Sequence, residues 1–292
     1  MLPIRDVARS TGVNAVTLRA WERRYGLIVP HRTPKGHRLY SQEHVARIQA
    51  ILTWLNRGVS VSQVKALLDT RQPSSQSADN GWDELRQHLL QAIVDQAERR
   101  LDEGFNRALS LYPPRTLCEQ LLLPLLAELE QRWQGQFGAQ LEQVFFLSWL
   151  RSKLGARIYH NNRQHSSPPL LLINLSSLPM EPGLWLCAWL VSSADCPVEV
   201  LDWPIPALEL ALAVEHLSPR ALLLYSSQAL NSGQLPRLLA GADCPRLLVG
   251  PAVRIHQSDL KLLTQQNDGL SLALDPLGAL QTLQGLGLLD PL

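Results

Sequence analysis

The sequence predicts a multidomain chain with three parts of different fold class: an α-helical winged helix-turn-helix, a small helix bundle, and an α/β doubly wound domain on a parallel sheet. Three observations carry that reading. Residues 1–70 interrupt helical patterns with one short hairpin, residues 81–160 repeat apolar positions at intervals of three and four, and residues 168–292 alternate short apolar runs with helical stretches. Gln72 to Asn80 and Asn161 to Pro169, crowded with polar and turn-forming residues, read as the linkers.

In the first part, Ile4 to Ser10 forms a short helix with Ile4, Val7 and Ala8 inward. Thr11-Gly12-Val13 makes a tight turn, and Asn14 caps the next helix. In that helix, VTLRAWERRYGL, Val16 and Leu18 are expected near the core, with Thr17, Arg19, Arg23 and Arg24 outward. Gly26 supplies its left-handed stop. The segment HRTPKGHRLYS then places the turn Pro34-Lys35-Gly36 between two short arms carrying Arg32, His37, Arg38 and Tyr40. A basic hairpin beside an exposed helix is a wing. Ser41 caps a third helix to about Asn56, and Gly58 with Ser60 opens a fourth, Val61 to Leu68.

The second part is helical because Trp82, Leu85, Leu89, Ile93, Ala97 and Leu101 line one face. Leu117 to Trp133 and Gln140 to His160 continue the pattern, with Pro113 and Pro114 tolerated at a helix start. In the third part LLLINL, PVEVLDW, RALLLYS, PRLLVG and GLSLAL are strands, and the helical stretches between them imply βαβ units and five parallel strands covered on both faces. This is a flavodoxin-like arrangement, whose ligand crevice lies at the carboxyl ends of the strands.

Of the 292 residues, 46% are hydrophobic and 18% charged, the balance of a globular protein. Without an apolar run long enough for a membrane span or a signal-peptide pattern, the expected location is cytoplasmic, with no membrane partner. Cys118, Cys187, Cys196 and Cys244 lie far apart with no CxxC pair, so reduced, buried thiols are expected and a metal site is not. The net charge of +1 conceals an asymmetry: residues 1–70 carry +7 and the remainder −6. A polyanion would bind at the basic end.

An α-helix fits the major groove, where each base pair displays its own donor and acceptor pattern. Thr17 and Arg19, in the amino-terminal half of the second helix, are the candidates for base and neighbouring phosphate contact. Arg23, Arg24 and Tyr25, with Lys35, His37, Arg38 and Tyr40 of the wing, suit phosphates, which fix register without reading sequence. Asn14, Trp21 and Arg32 complete the candidate surface, with Trp21 and Tyr25 partly in the core. Catalytic chemistry is not expected: there is no glycine-rich phosphate loop, nucleophile elbow or paired-histidine motif, and the histidines form no cluster.

The stretch TLRAWERRYGLIVPHRTPKGHRLYS resembles the MerR family in its helix, wing and following cap, over about a quarter of the chain. It is most similar to the branch that includes the cobalamin photoreceptors, where the wing is followed by a helix bundle and a flavodoxin-like domain. The resemblance implies a homodimer or higher homo-oligomer on double-stranded promoter DNA, acting with RNA polymerase as activator or repressor. It also implies where cobalamin would sit. In cobalamin-binding relatives a DxHxxG loop after the first strand supplies a cobalt-ligating histidine and its orienting aspartate. If Gly183 is that glycine, Met180 replaces the histidine and Leu178 the aspartate. The photoreceptors also carry a Trp followed about ten residues later by Glu-His; here Trp133 is followed by Gln143 and Val144, with Glu142 one position early.

The resulting expectation is a regulator, not an enzyme, whose last two domains keep the cobalamin-binding architecture without the cofactor and serve oligomerisation or a regulatory protein partner. The alternative is a light- or ligand-responsive regulator that still binds cobalamin or another small molecule near residues 176–183. A corrinoid-dependent enzyme or carrier is the weakest reading.

Overall fold

The computed structural model describes residues 1–69, 80–135, 137–230, 244–266 and 269–289. Of the first expected linker, Gln72 to Asn80, all but Asn80 lies outside the described residues. Among the described residues the chain divides into two compact units, residues 1–146 and residues 147–289.

The first unit opens with β1 (Leu2–Pro3), α1 (Ile4–Thr11) and α2 (Ala15–Ala20), the last extended by a π-helical turn, Trp21–Tyr25. The wing is β2 (His31–Arg32) with β3 (Arg38–Tyr40). β3 is central, paired antiparallel with both β1 and β2. β1 was not expected: two residues carry no period, and only the distant pairing Leu2↔Tyr40 defines them as strand.

The caps follow local chemistry. Asn14 Oδ1 accepts the Thr17 N–H at 2.8 Å, satisfying one of the free donors of the first turn. Gly26, at φ 58, closes the π-helical turn in the left-handed region that a side chain disfavours. Ser41 and His44 form a capping box on α3 (Gln42–Asn56). His44 Nδ1 accepts the Ser41 N–H, and burial, helped by nearby His31, holds this imidazole below its ordinary pKa, in the neutral form the box requires.

After α4 (Val61–Asp69) come α5 (Asn80–Val94), α6 (Glu98–Leu111), α7 (Pro114–Leu117), a second π-helical turn at Cys118–Leu122, α8 (Leu123–Trp133) and α9 (Ala139–Asn162). The single apolar face expected from Trp82 to Leu101 is divided: the chain reverses at Asp95–Ala97, with Gln96 at φ 51, and α5 and α6 pack together as a helical hairpin. The short turn left the spacing of apolar residues unbroken, so periodicity alone could not reveal it.

The bundle is joined to the head within this unit. The Trp21 indole N–H donates to the Leu111 carbonyl at 2.8 Å, both groups buried. Tyr112 stacks on Trp82, with ring centroids 4.3 Å apart, while its hydroxyl accepts the Val61 N–H. Thr116 donates to the Asn56 side chain.

The second unit holds β4 (Leu170–Asn174), α10 (Pro182–Ser193), β5 (Val198–Leu201), α11 (Ala207–Leu217), β6 (Ala221–Tyr225), β7 (Arg246–Val249), α12 (Ala252–Ile255), α13 (Gln257–Gln266), β8 (Leu270–Ala273) and α14 (Pro276–Gly285). The strands pair in parallel, in the order β5-β4-β6-β7-β8. β4 and β6 are buried throughout, as strands covered on both faces must be. Leu171, Ile173, Leu222 and Leu224 point into a core shared with Leu210, Val253 and Leu260, and alternation sends Leu170, Leu172 and Leu223 to the opposite face. At the edge, the Asn162 amide pairs with both the N–H and the carbonyl of Val198, closing one position of β5 to further strand pairing.

Candidate nucleic-acid interface

α2 and its π-helical continuation have one buried and one open face. Thr17, Leu18 and Trp21 are fully buried, whereas Val16, Arg19, Arg23 and Arg24 are exposed. The expected phase is therefore corrected: Val16 is outward, at 58% exposure, and Thr17 is inward. Helix geometry requires it, because Thr17 lies one turn before Trp21 and beside Leu18, whereas Val16 lies one turn before Arg19 and Ala20. Polarity suggested the reverse. With Trp21 buried and donating to Leu111, the indole holds head to bundle and is not a surface contact.

The wing is tied to this helix through Glu22. Its carboxylate accepts from Arg32 at 2.7 Å and from Arg38 at 2.5 Å, so one acidic side chain holds both hairpin strands. Burial alone would raise the Glu22 pKa. The hydrogen bonds and positive charge of Arg38 and Arg32 outweigh it and keep the carboxyl below its usual value. Arg38 is only 12% exposed in its side chain, so it is a structural cation and not a free phosphate ligand, a second correction. A third concerns Tyr40, which is buried between β1 and β2, where desolvation pushes its phenol pKa up. It was expected on the surface because a tyrosine in a basic hairpin suits phosphate, but its outer neighbour, β1, was invisible in the sequence.

Arg19, Arg23, Arg24, Lys35 and His37 remain exposed, with Asn14 at the helix cap, Tyr25 half-buried and Arg32 half-exposed despite its ion pair. Exposed cations on a helix and on a hairpin pinned beside it form a surface suited to a polyanion. Sequence reasoning missed Val16 and Glu22; the phase set by Leu18 and Trp21 would have found the first, and nothing local marks the second.

We expect Glu22→Gln to weaken binding to duplex DNA roughly three- to tenfold, because an uncharged amide with a single acceptor oxygen cannot hold both Arg32 and the largely buried Arg38, and this loosens the wing. Charge counting alone has the opposite sign, since the substitution removes an anion from a surface that meets a polyanion. Fluorescence anisotropy of both proteins on one duplex decides between them.

In the second unit, the sheet's order reverses between β4 and β6, the place where such sheets take ligands. Met180 there is buried. The loop from Asn174 to Glu181 is closed on itself and on the loop after β6. The Asn174 amide donates to the Leu178 and Asp202 carbonyls, its oxygen accepts from Ser176, and Glu181 accepts the Ser227 N–H and hydroxyl. Tyr225, the last residue of β6, is buried against Gly183 and Gly250; a Cβ on Gly183 would collide with its ring and hydroxyl. In the first unit, Glu142 is buried and accepts from Arg132 at 2.9 Å and the Trp133 indole at 3.0 Å, while Val144 is exposed. Among the described residues no three His, Cys, Asp or Glu side chains gather to hold a metal, and no helix is long and apolar enough to cross a membrane.

Comparison with known proteins agrees with this architecture. Residues 2–71 match the family model "MerR HTH family regulatory protein", and residues 85–158 match "B12 binding domain". The HTH-type transcriptional regulator MlrA of Salmonella typhimurium is 30% identical over 237 residues, covering 81% of this chain and 93% of that protein. MlrA of Escherichia coli is 30% identical over 80% of this chain and 92% of its own. The HTH-type transcriptional repressor CarH of Myxococcus xanthus is 26% identical over 74% and 75%. The chain thus belongs to the MerR family of helix-turn-helix transcriptional regulators, in the branch shared by MlrA and CarH that couples the DNA-binding head to a B12-binding-type domain.

Proposed function

We propose that this chain is a cytoplasmic transcriptional regulator, not an enzyme, that binds promoter DNA as a homodimer or higher homo-oligomer, acts on RNA polymerase, and works without cobalamin. The observation that carries the DNA-binding role is the single open face of α2 and its continuation, from which Arg19, Arg23 and Arg24 project beside a wing fastened through Glu22. The two following domains would then serve oligomerisation or a regulatory protein partner.

The residues present do not fit a histidine-ligated corrinoid. Met180 offers a thioether in place of an imidazole, Leu178 cannot orient a ligand, and the polar groups of this loop bond to one another and to the loop after β6. Tyr225 fills the space that Gly183 and Gly250 leave at the switch point. Glu142 is engaged by Trp133 and Arg132. A second reading, a regulator responsive to cobalamin or another small molecule, is favoured by the B12-binding match at 85–158 and by the CarH relative.

One experiment separates the two. The purified full chain is incubated with adenosylcobalamin in the dark, desalted, and measured by visible absorption, with its oligomeric size recorded before and after illumination. A colourless, unchanged protein is expected. A retained corrinoid band, or a light-dependent change in size, would overturn the cobalamin-free reading and leave the DNA-binding role standing.

A further inference from the structure

We infer that Val16 is a specificity-determining residue that reads thymine through its 5-methyl group in the major groove. The inference rests on the DNA-binding reading above. Val16 stands in the first turn of α2, 58% exposed, while Thr17, Leu18 and Trp21 fasten the opposite face into the unit. Helical spacing places Arg19 on its side of the helix, at i+3, and Arg23 in the π-helical continuation is exposed as well.

A lone exposed valine is ordinary on a protein surface. Position distinguishes this one. A β-branched residue is a poorer helix former than alanine or the charged residues that suit an open helical position, and here its methyl groups add nothing to the core. The amino-terminal half of a recognition helix is the part that reaches base edges, and the thymine methyl is the apolar feature those edges display. Arg19 beside it carries the guanidinium fork that matches guanine O6 and N7. Together the two would read neighbouring base pairs, one by apolar contact and one by hydrogen bonds.

The test uses the full-length chain to enrich a random-sequence duplex pool. Each thymidine of the resulting site is then replaced singly by deoxyuridine, which removes only the 5-methyl group. Wild type is expected to lose about fourfold in affinity at one position per half-site, the equivalent of one buried methyl group. Val16→Ala is expected to lose most of that discrimination between thymidine and deoxyuridine, with unchanged salt dependence and a thermal stability equal to or slightly above wild type. A deoxyuridine loss that persists undiminished in Val16→Ala, or the lack of any such position in wild type, overturns the inference and leaves the DNA-binding reading intact. A pool that does not enrich overturns both.

Discussion

Replacing Arg19 by alanine is expected to abolish sequence-selective DNA binding while leaving the fold and its melting temperature unchanged. The side chain is exposed on the open face of α2, so its removal disturbs no packing. A bidentate contact from such an arginine to a guanine is worth about 1–3 kcal/mol of discrimination. If two recognition helices act on an inverted repeat, the loss is on the order of a hundredfold or more. Competition between the selected duplex and nonspecific DNA measures it. Equal competition profiles for wild type and Arg19→Ala would show that another part of the surface reads the sequence. Residual, salt-sensitive binding should survive, because Arg23, Arg24 and Lys35 still supply phosphate contacts.

Trp21→Ala should also abolish DNA binding, for a different physical reason. Its side chain is fully buried, and its N–H meets the Leu111 carbonyl ninety residues away in sequence. Truncation removes a large apolar surface and leaves a buried carbonyl without its donor, a loss of about 3–5 kcal/mol by comparison with other buried aromatic truncations. Urea denaturation followed by far-ultraviolet circular dichroism should show the first unit destabilised by that amount. A Trp21→Ala protein of wild-type stability that no longer binds DNA would instead make the indole a direct DNA contact. Both variants lose function, and only stability tells them apart.

These two residues show how far sequence reasoning reaches. Features set by neighbours in the chain were legible: the caps at Asn14 and Ser41, the stop at Gly26, the turn at Pro34-Lys35-Gly36, and the five strand runs all stand where expected. In each case the physical determinant lies within a few residues, as capping, turn chemistry or uninterrupted apolar runs. The misses are long-range. Trp21 to Leu111, Leu2 to Tyr40, and Tyr225 against Gly183 are contacts that no local pattern encodes. Glu22 was obscured for another reason: counting cations along residues 1–70 treats every arginine as available, although one carboxylate engages both Arg32 and Arg38. The Val16 and Thr17 exchange is different again. Leu18 and Trp21 set the phase of the helix, and the polarity of Thr17 points the other way.

The same distinction separates the two halves of the functional account. The DNA-facing surface is built from exposed side chains on a capped helix and a hairpin, so its chemistry was largely visible before its shape. The switch-point crevice is decided by what fills it. Substitution of the expected ligand by Met180 was readable in the sequence, whereas the seating of Tyr225 between two glycines required the folded sheet.

The central claim, that the open face of α2 reads DNA, is tested most directly by sequencing what the full-length protein retains from a random duplex pool at physiological salt. The account predicts a defined, two-fold symmetric motif that is recovered by wild type and lost by Arg19→Ala. Recovery of no motif, or of the same motif by both proteins, would contradict it.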